Sequence, residues 1–144
     1  MGGEFDLERF VTAQDGVYDG ALAELRAGRK TGHWIWFVFP QVAGLGRSEM
    51  SRIYSIGSLA EARAYLAHPV LGQRLHAFVD ALLAIEGSTA EAVLGPVDAV
   101  KVRSSMTLFH RADPEDPAFP AVLARWYGGI PDPLTDQLLG TDVT

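Results

Sequence analysis

Along the first part of the chain Leu7, Phe10, Val11, Gln14, Val17, Tyr18, Ala21, Leu22 and Leu25 recur at steps of three and four. They share one face, and only Gln14 and the Tyr18 hydroxyl are polar on it. The spacing predicts one long amphipathic helix, with Asp6 as its N-cap and Gly28 at its end. Gly16 and Gly20 weaken its middle, each by about 1 kcal/mol relative to alanine. The pattern then changes. In His33-Trp34-Ile35-Trp36-Phe37-Val38-Phe39-Pro40-Gln41, two tryptophans and two phenylalanines fall close together with no polar face between them. Such a run must be surrounded on nearly all sides, so the other segments pack around it. Arg29, Lys30, Thr31 and Gly32 precede it, and Gly44, Gly46, Arg47 and Ser48 follow. An aromatic anchor between polar brackets is how small-molecule pockets are built. It is equally how a buried helix with capped ends looks, and the pattern leaves both open.

Pro40 ends the run and a Gly-rich loop follows over 42–47. Ser48 reads as the N-cap of a short helix with Met50, Ile53 and Tyr54. Ser58-Leu59-Ala60-Glu61 is a capping box opening a helix through Ala62, Tyr65 and Leu66. That helix stops at His68-Pro69, because the residue before proline avoids the helical region. Leu71, Leu75, Phe78, Val79, Leu82 and Leu83 face inward on the next one, which Gly87 closes. Ser88-Thr89-Ala90-Glu91 repeats the capping pattern ahead of a short helix ending at Gly95-Pro96. In 97–109 a helical step (Val97, Val100, Ser104, Leu108) competes with strand alternation (Val100, Val102, Ser104). Helix is preferred because no strand partner stands elsewhere in the chain. Three prolines and three acids make 113–120 a loop. Phe119, Val122, Leu123, Trp126 and Tyr127 form another helix ended by Gly128-Gly129, and the tail allows a last turn or two around Leu138 and Leu139. With no repeat and no linker, the expected fold is all-α: one multihelical domain over 1–144 with roughly seven or eight helices.

Composition narrows the function classes. A chain of 144 residues suffices for one domain with a full core. The absence of cysteine excludes thiolate catalysis, Cys-ligated metals and disulfides, and fits a reducing cytoplasm. A net charge of −6 leaves no basic stripe for general nucleic-acid binding, though a local basic pocket fits. The first residues carry no signal-peptide pattern, and Asp6 stands where a myristoylation site wants Ser or Thr. The apolar run 34–39 is far too short for a bilayer span. A cytoplasmic protein without a membrane partner is expected.

Named catalytic motifs are missing: no Walker loop, no dinucleotide fingerprint, no nucleophile elbow. His33, His68, His76 and His110 show no ligand spacing, so neither a metal nor a cofactor is implied. His68 reads as a helix-end residue, His76 as exposed, Glu24 and Glu61 as surface and capping residues. Lys101, Arg103, Ser104 and Ser105 put cations and hydroxyls beside apolar residues, a set able to bind phosphate or carboxylate. Lys30 joins them if the segment ends meet, and a positive concavity in an acidic protein steers an anionic ligand. The other reading makes the cations solvated and the serines small residues at a helix crossing. Asp98, three residues before Lys101, is an intrahelical partner or a general base.

Several strings resemble a known family. They include Arg9-Phe10, Ala13-Gln14, Gly28-Arg29-Lys30, His33-Trp34, Trp36-Phe37, Phe39-Pro40-Gln41, Gly44-Leu45-Gly46, His68-Pro69 and Ser104-Ser105-Met106-Thr107-Leu108-Phe109. Together they resemble the bacterial family known as domain of unknown function 1810, over about residues 6–112, with 113–144 as a helical extension. The resemblance implies a mainly α-helical domain with no established activity. A second resemblance, carried by Ala13-Gln14 and the segment from Gly95 to Asp98, is to NADAR-type proteins. These act on N-glycosidic or ADP-ribose-linked substrates. Their glutamate-histidine pair has no match at Glu8-Arg9-Phe10, so no catalytic acid is carried over.

The residues thus point to a domain for a small anionic, nucleotide-like or ADP-ribose-like ligand. Trp34 or Trp36 would wall the pocket, and Gln14, Tyr18, His33, Gln41 and Ser48 would supply polar contacts. Lys30, Lys101 and Arg103 would hold the anion while Ser104 and Ser105 donate. Asp98 and His33 are the catalytic candidates for N-glycosidic hydrolysis. The alternative is a non-catalytic protein-interaction module with the aromatic run entirely in the core. The two differ geometrically: the first brings His33, Gln41, Lys101 and Ser104 to one cavity.

Overall fold

The stretch 97–109, where helical step and alternation compete, lies within one helix over 96–112, and its composition explains why. Pro96 stands at its first turn, where its missing N–H costs nothing, and Ala99, Val102, Met106 and Phe109 keep one face buried. The computed structural model describes residues 5–143, with side chains as far as Gly140; residues 1–4, read above as lacking a targeting signal, lie outside them. Among the described residues there are ten helices and no strand, with one isolated bridge between Val42 and Ile56. They are α1 (Glu8–Asp15), α2 (Tyr18–Arg26), α3 (Ile35–Val38), α4 (Glu49–Ile53), α5 (Leu59–Ala67), α6 (Leu71–Ala84), α7 (Ala90–Leu94), α8 (Pro96–Ala112), α9 (Ala118–Tyr127) and α10 (Pro133–Val143). The all-α expectation holds. α8 is the hub, packed against α3, α5, α7, α9 and α10, while α6 lies on α2, α5 and α9.

The single first helix is in fact two. The chain turns at Gly16-Val17, beside the weak point that the glycines create, and the same stripe continues on α2. Asp6 does not cap α1, whose N-cap position is Leu7 with no side-chain bond. Gly28 (φ +78) ends α2 as expected: its N–H reaches Leu25 O at 2.9 Å and that of Arg29 reaches Glu24 O at 3.0 Å. Ser48 and Ser58 cap α4 and α5, but at α7 the cap is Thr89, one residue after the expected Ser88. The tail is longer than a turn or two, since α10 runs for 11 residues.

Glu61 is buried and joins two helices: its Oε1 accepts from Gly57 N at 2.8 Å while Oε2 meets Arg9 at 3.2 Å. His68 Nδ1 accepts from Val70 and Leu71 N–H at 3.1 and 3.3 Å, so it satisfies two free N–H groups at the start of α6. His76 on α6 is half-exposed and bridges to the loop before α9. Its Nδ1 lies 2.8 Å from Gly72 O and its Nε2 2.6 Å from Asp116 Oδ2. Both partners are acceptors, so both bonds form only with the imidazolium. Burial disfavours that charge, but Gly72 O, Asp116 and nearby Asp80 outweigh it and raise the pKa. A raised folded-state pKa gives stability that is complete below the unfolded value and lost as pH rises through the folded one. Stability is therefore expected to decline as pH rises from the ordinary histidine value of about 6.5 through the raised folded one, with His76→Ala flattening the slope in pH-resolved denaturation. An unchanged slope would show that the bridge contributes nothing.

Candidate functional site

The aromatic run is held by its neighbours in sequence. Glu24 Oε1, in the last turn of α2, accepts from Thr31 N (2.8 Å), Gly32 N (2.8 Å) and Trp34 Nε1 (3.0 Å). Burial alone would raise its pKa, yet the backbone bonds from Gly32 and Thr31, with the Trp34 bond, bring it below the usual glutamate range. A depressed carboxyl pKa contributes stability above the unfolded value that is lost as pH falls through the folded one. Glu24→Gln is therefore expected to cost about 1–2 kcal/mol at neutral pH and to narrow the gap to wild type below about pH 4. Equal melting temperatures at pH 7 would show the clasp to be idle.

Lys30 follows the clasp and is almost fully enclosed, with 6% of its side chain exposed. Its Nζ lies 2.6 Å from Asp98 Oδ2, donates to Gly32 O and sits 4.7 Å from the centroid of the Trp34 ring. Gly95, at φ +86 between α7 and α8, sets the turn that brings Asp98 there. Lys101, one turn further along α8, stands 3.9 Å from Asp98 Oδ1 and 5.2 Å from the Trp36 ring centroid. Asp98 is thus a counter-ion between two lysines.

Beside this cluster a groove of about 480 Å³ opens between the loop after α3, the first half of α8 and the segment before α10. Gln41, Leu45, Gly46, Pro96, Val97, Val100, Lys101, Ser104, Asp132 and Leu134 line it. Its walls are mostly apolar and its floor is polar. Asp132, 8% exposed, accepts at Oδ2 from Ser104 Oγ (3.0 Å), from Thr135 N (3.1 Å) and from Thr135 Oγ1. Its own N–H donates to Thr107 Oγ1 at 2.9 Å. The Thr135 bonds make Asp132 the N-cap of α10, with Pro133 at the first helical position.

The structure therefore brings Gln41, Lys101 and Ser104 to one cavity and leaves His33 on an exposed loop, away from that lining. The other site residues read from the sequence lie elsewhere. Trp34 is core, 3% exposed and stacked on Phe78. Gln14 is sealed, its amide donating to Phe37 O (2.6 Å) and Tyr65 Oη (3.1 Å). Tyr18 meets Phe78 edge-on below Arg74. Ser48 caps α4 at the surface. Arg103 donates to Ile130 O (2.9 Å) and Pro131 O (3.0 Å), fixing the far wall of the groove. Ser105 is fully buried with its hydroxyl unpartnered, as is the indole N–H of half-buried Trp36.

The model of the family described as protein of unknown function (DUF1810) matches residues 4–139. The chain belongs to that family. The match runs past α8 and takes in α9, Asp132 and Leu134, so in this DUF1810 chain the whole groove lies within the matched span. The crystal structure of a conserved hypothetical protein from Mycobacterium tuberculosis is similar to it at 51% identity and a TM-score of 0.93, covering 94% of this chain and 97% of that one. A comparison with curated proteins finds no match. Likeness to NADAR-type proteins is not among these findings, and Gln14, which carried it, is engaged inside the core. Among the described residues no helix of this DUF1810 chain is long and apolar enough to cross a membrane.

Asp132 is the residue that sequence reasoning missed. The tail from Pro131 onward reads only as a last turn or two around Leu138 and Leu139, yet an acid before proline with Thr135 three residues on is an N-cap pattern, and that signal was present.

Proposed function

We propose that the groove binds a small molecule with an apolar body and a polar end. The observation that carries this reading is the meeting of Gln41, Lys101, Ser104 and Asp132, from three separate segments, on one cavity large enough for a ligand. A nucleotide-like or ADP-ribose-like ligand would lay its base against Val97, Val100 and Leu45. A phosphate would meet Lys101 only, because Lys30 is enclosed with Asp98 and Arg103 is held by backbone carbonyls. Hydrolysis has less support than binding. Asp98 is paired, His33 lies off the groove, and the Oδ2 of Asp132 is held by three donors. The reading is of a binding domain in a cytoplasmic setting.

The test is a thermal-shift and tryptophan-fluorescence titration with nucleosides, nucleotides, NAD and ADP-ribose, repeated on Val100→Trp. Val100 is 59% exposed, so an indole there fills the groove without disturbing the core. A ligand at about 100 times its Kd stabilises by about 2.7 kcal/mol, which raises the melting temperature by roughly 5–10 °C for a chain of this size. That rise should vanish in Val100→Trp. No shift for any compound would remove the nucleotide-like version.

One observation favours the interaction-module reading. Val97, Val100, Ile130 and Leu134, four large exposed apolar side chains, lie on the groove or beside it. On that reading Val100→Trp would leave small-molecule titrations flat and change the solution association of the protein.

A further inference from the structure

The charges nearest the groove are arranged unequally. Lys30, Asp98 and Lys101 form one group, of which Lys101 alone reaches the groove lining, and in it the lysines share a carboxylate and each lies over an indole ring. Across from them Asp132 makes no ion pair among the described residues: its Oδ2 partners are two hydroxyls and one backbone N–H, and the guanidinium of Arg103 is held by the carbonyls of Ile130 and Pro131. These three donors fix the carboxylate in orientation without neutralising it. The other oxygen, Oδ1, accepts no hydrogen bond among the described residues and is not among the buried unpartnered atoms, so it keeps some access to solvent in a residue that lines the groove. A carboxylate more than nine-tenths buried, locked at one oxygen and without a partner at the other, in a groove also lined by Val100, Leu134 and Leu45, is a receptor for a hydrogen-bond donor. The apolar walls lower the local dielectric and strengthen any charged pair formed there.

We propose that Asp132 sets the specificity of the groove, and that the polar end it takes is a protonated amine carried on an apolar body. A phosphate or carboxylate end is refused at the floor, since it would bring two negative groups together out of water. The inference rests on the groove being a ligand site, and it reverses the sign of the ligand that the Lys101–Ser105 stretch suggested. Ser104 is a positioning residue: its hydroxyl is shared between Val100 O (3.2 Å) and Asp132 Oδ2 (3.0 Å), tying the carboxylate to α8.

The experiment compares three probes with one phenyl body: 2-phenylethylamine, 3-phenylpropanamide and 3-phenylpropanoate. Each is titrated into the full chain and followed by amide and methyl chemical shifts of Val97, Val100 and Leu134. The amine is expected to bind at least about tenfold more tightly than the acid, the worth of one charge-assisted hydrogen bond, with the amide between. Asp132→Asn keeps an acceptor for Ser104 and Thr135 and still caps α10, so it folds. It should bring the amine down to the amide and leave the amide unchanged. Ser104→Ala should weaken the amine by a smaller factor and leave the acid as it was. Acid binding as tight as amine, or an amine preference that survives in Asp132→Asn, overturns the assignment while the groove keeps its standing as a ligand site. Shifts for none of the three at tens of millimolar, a range where fragments of this size bind such pockets, overturn the groove reading and the assignment with it.

Discussion

Phe78→Ala is expected to cost about 3–5 kcal/mol, the range for deleting a fully enclosed aromatic ring, and to lower the melting temperature by on the order of 10 °C. Phe78 is 0% exposed on α6 and is the ring on which the aromatic run closes. Trp34 stacks on it at 6.3 Å and 14°, Phe39 tilts against it at 5.9 Å, and Tyr18 meets it edge-on at 5.3 Å. Alanine leaves a cavity bordered by three rings from two segments, none able to turn into it without leaving its other contacts. Trp34 cannot follow, because Glu24 holds its indole N–H. Thermal and denaturant unfolding would measure the loss. His33→Ala, on the same stretch but exposed, should stay within about 0.5 kcal/mol of wild type. A mild Phe78→Ala, or a costly His33→Ala, would show that the run is organised from its surface.

That contrast marks how far the sequence carries. The helices were legible wherever local rules act: capping by Ser48 and Ser58, the stop before Pro69, the glycine end of α2. The split of α1 from α2 was legible only as a weak point, since glycines lower helix stability without saying that the chain must turn. In the run 34–39 every side chain is apolar, so no period separates inside from outside. Ile35, Phe37, Val38 and Phe39 are buried as read, but Trp34 joins them because of Glu24 and Phe78, one upstream and one far downstream. The site shows the same limit. Gln41, Lys101 and Ser104 could be picked out as polar residues beside apolar ones, but not the long-range partners that occupy Lys30, Arg103 and Gln14. Cations count toward a ligand only when nothing in the fold has already paired them, and that is a property of tertiary structure. Asp132 was the opposite case: its capping signal was local and legible, but only the fold shows that the capping residue also lines the groove.

Asp98, read from the sequence as a general base, is expected to matter to stability first. Asp98→Asn should destabilise the protein by about 3 kcal/mol, the lower end of the range for removing one partner of an enclosed ion pair. The reason lies in Lys30. With 6% of its side chain exposed and its ammonium 2.6 Å from Asp98, it has no comparable access to water once the carboxylate is gone. Gly32 O remains as an acceptor and the Trp34 face as an attractive surface, but neither carries a full negative charge. Lys101 loses less, being 3.9 Å from Asp98 and more exposed. The asymmetry makes a double-mutant cycle decisive. Lys30→Met removes the buried charge and keeps an apolar chain over the indole, so Lys30→Met combined with Asp98→Asn should be more stable than Asp98→Asn alone. The coupling between them should fall in the range of 0.5–3 kcal/mol found for residues in contact. Lys101→Met should rescue Asp98→Asn little or not at all. Additive behaviour of Lys30 and Asp98 in denaturant unfolding would mean that the pair is solvated, and the general-base reading of Asp98 would reopen. If the coupling is found, any loss of ligand binding in Asp98→Asn has to be measured well below its melting temperature, because the carboxylate stabilises the protein through Lys30 and holds Lys101 on the groove lining.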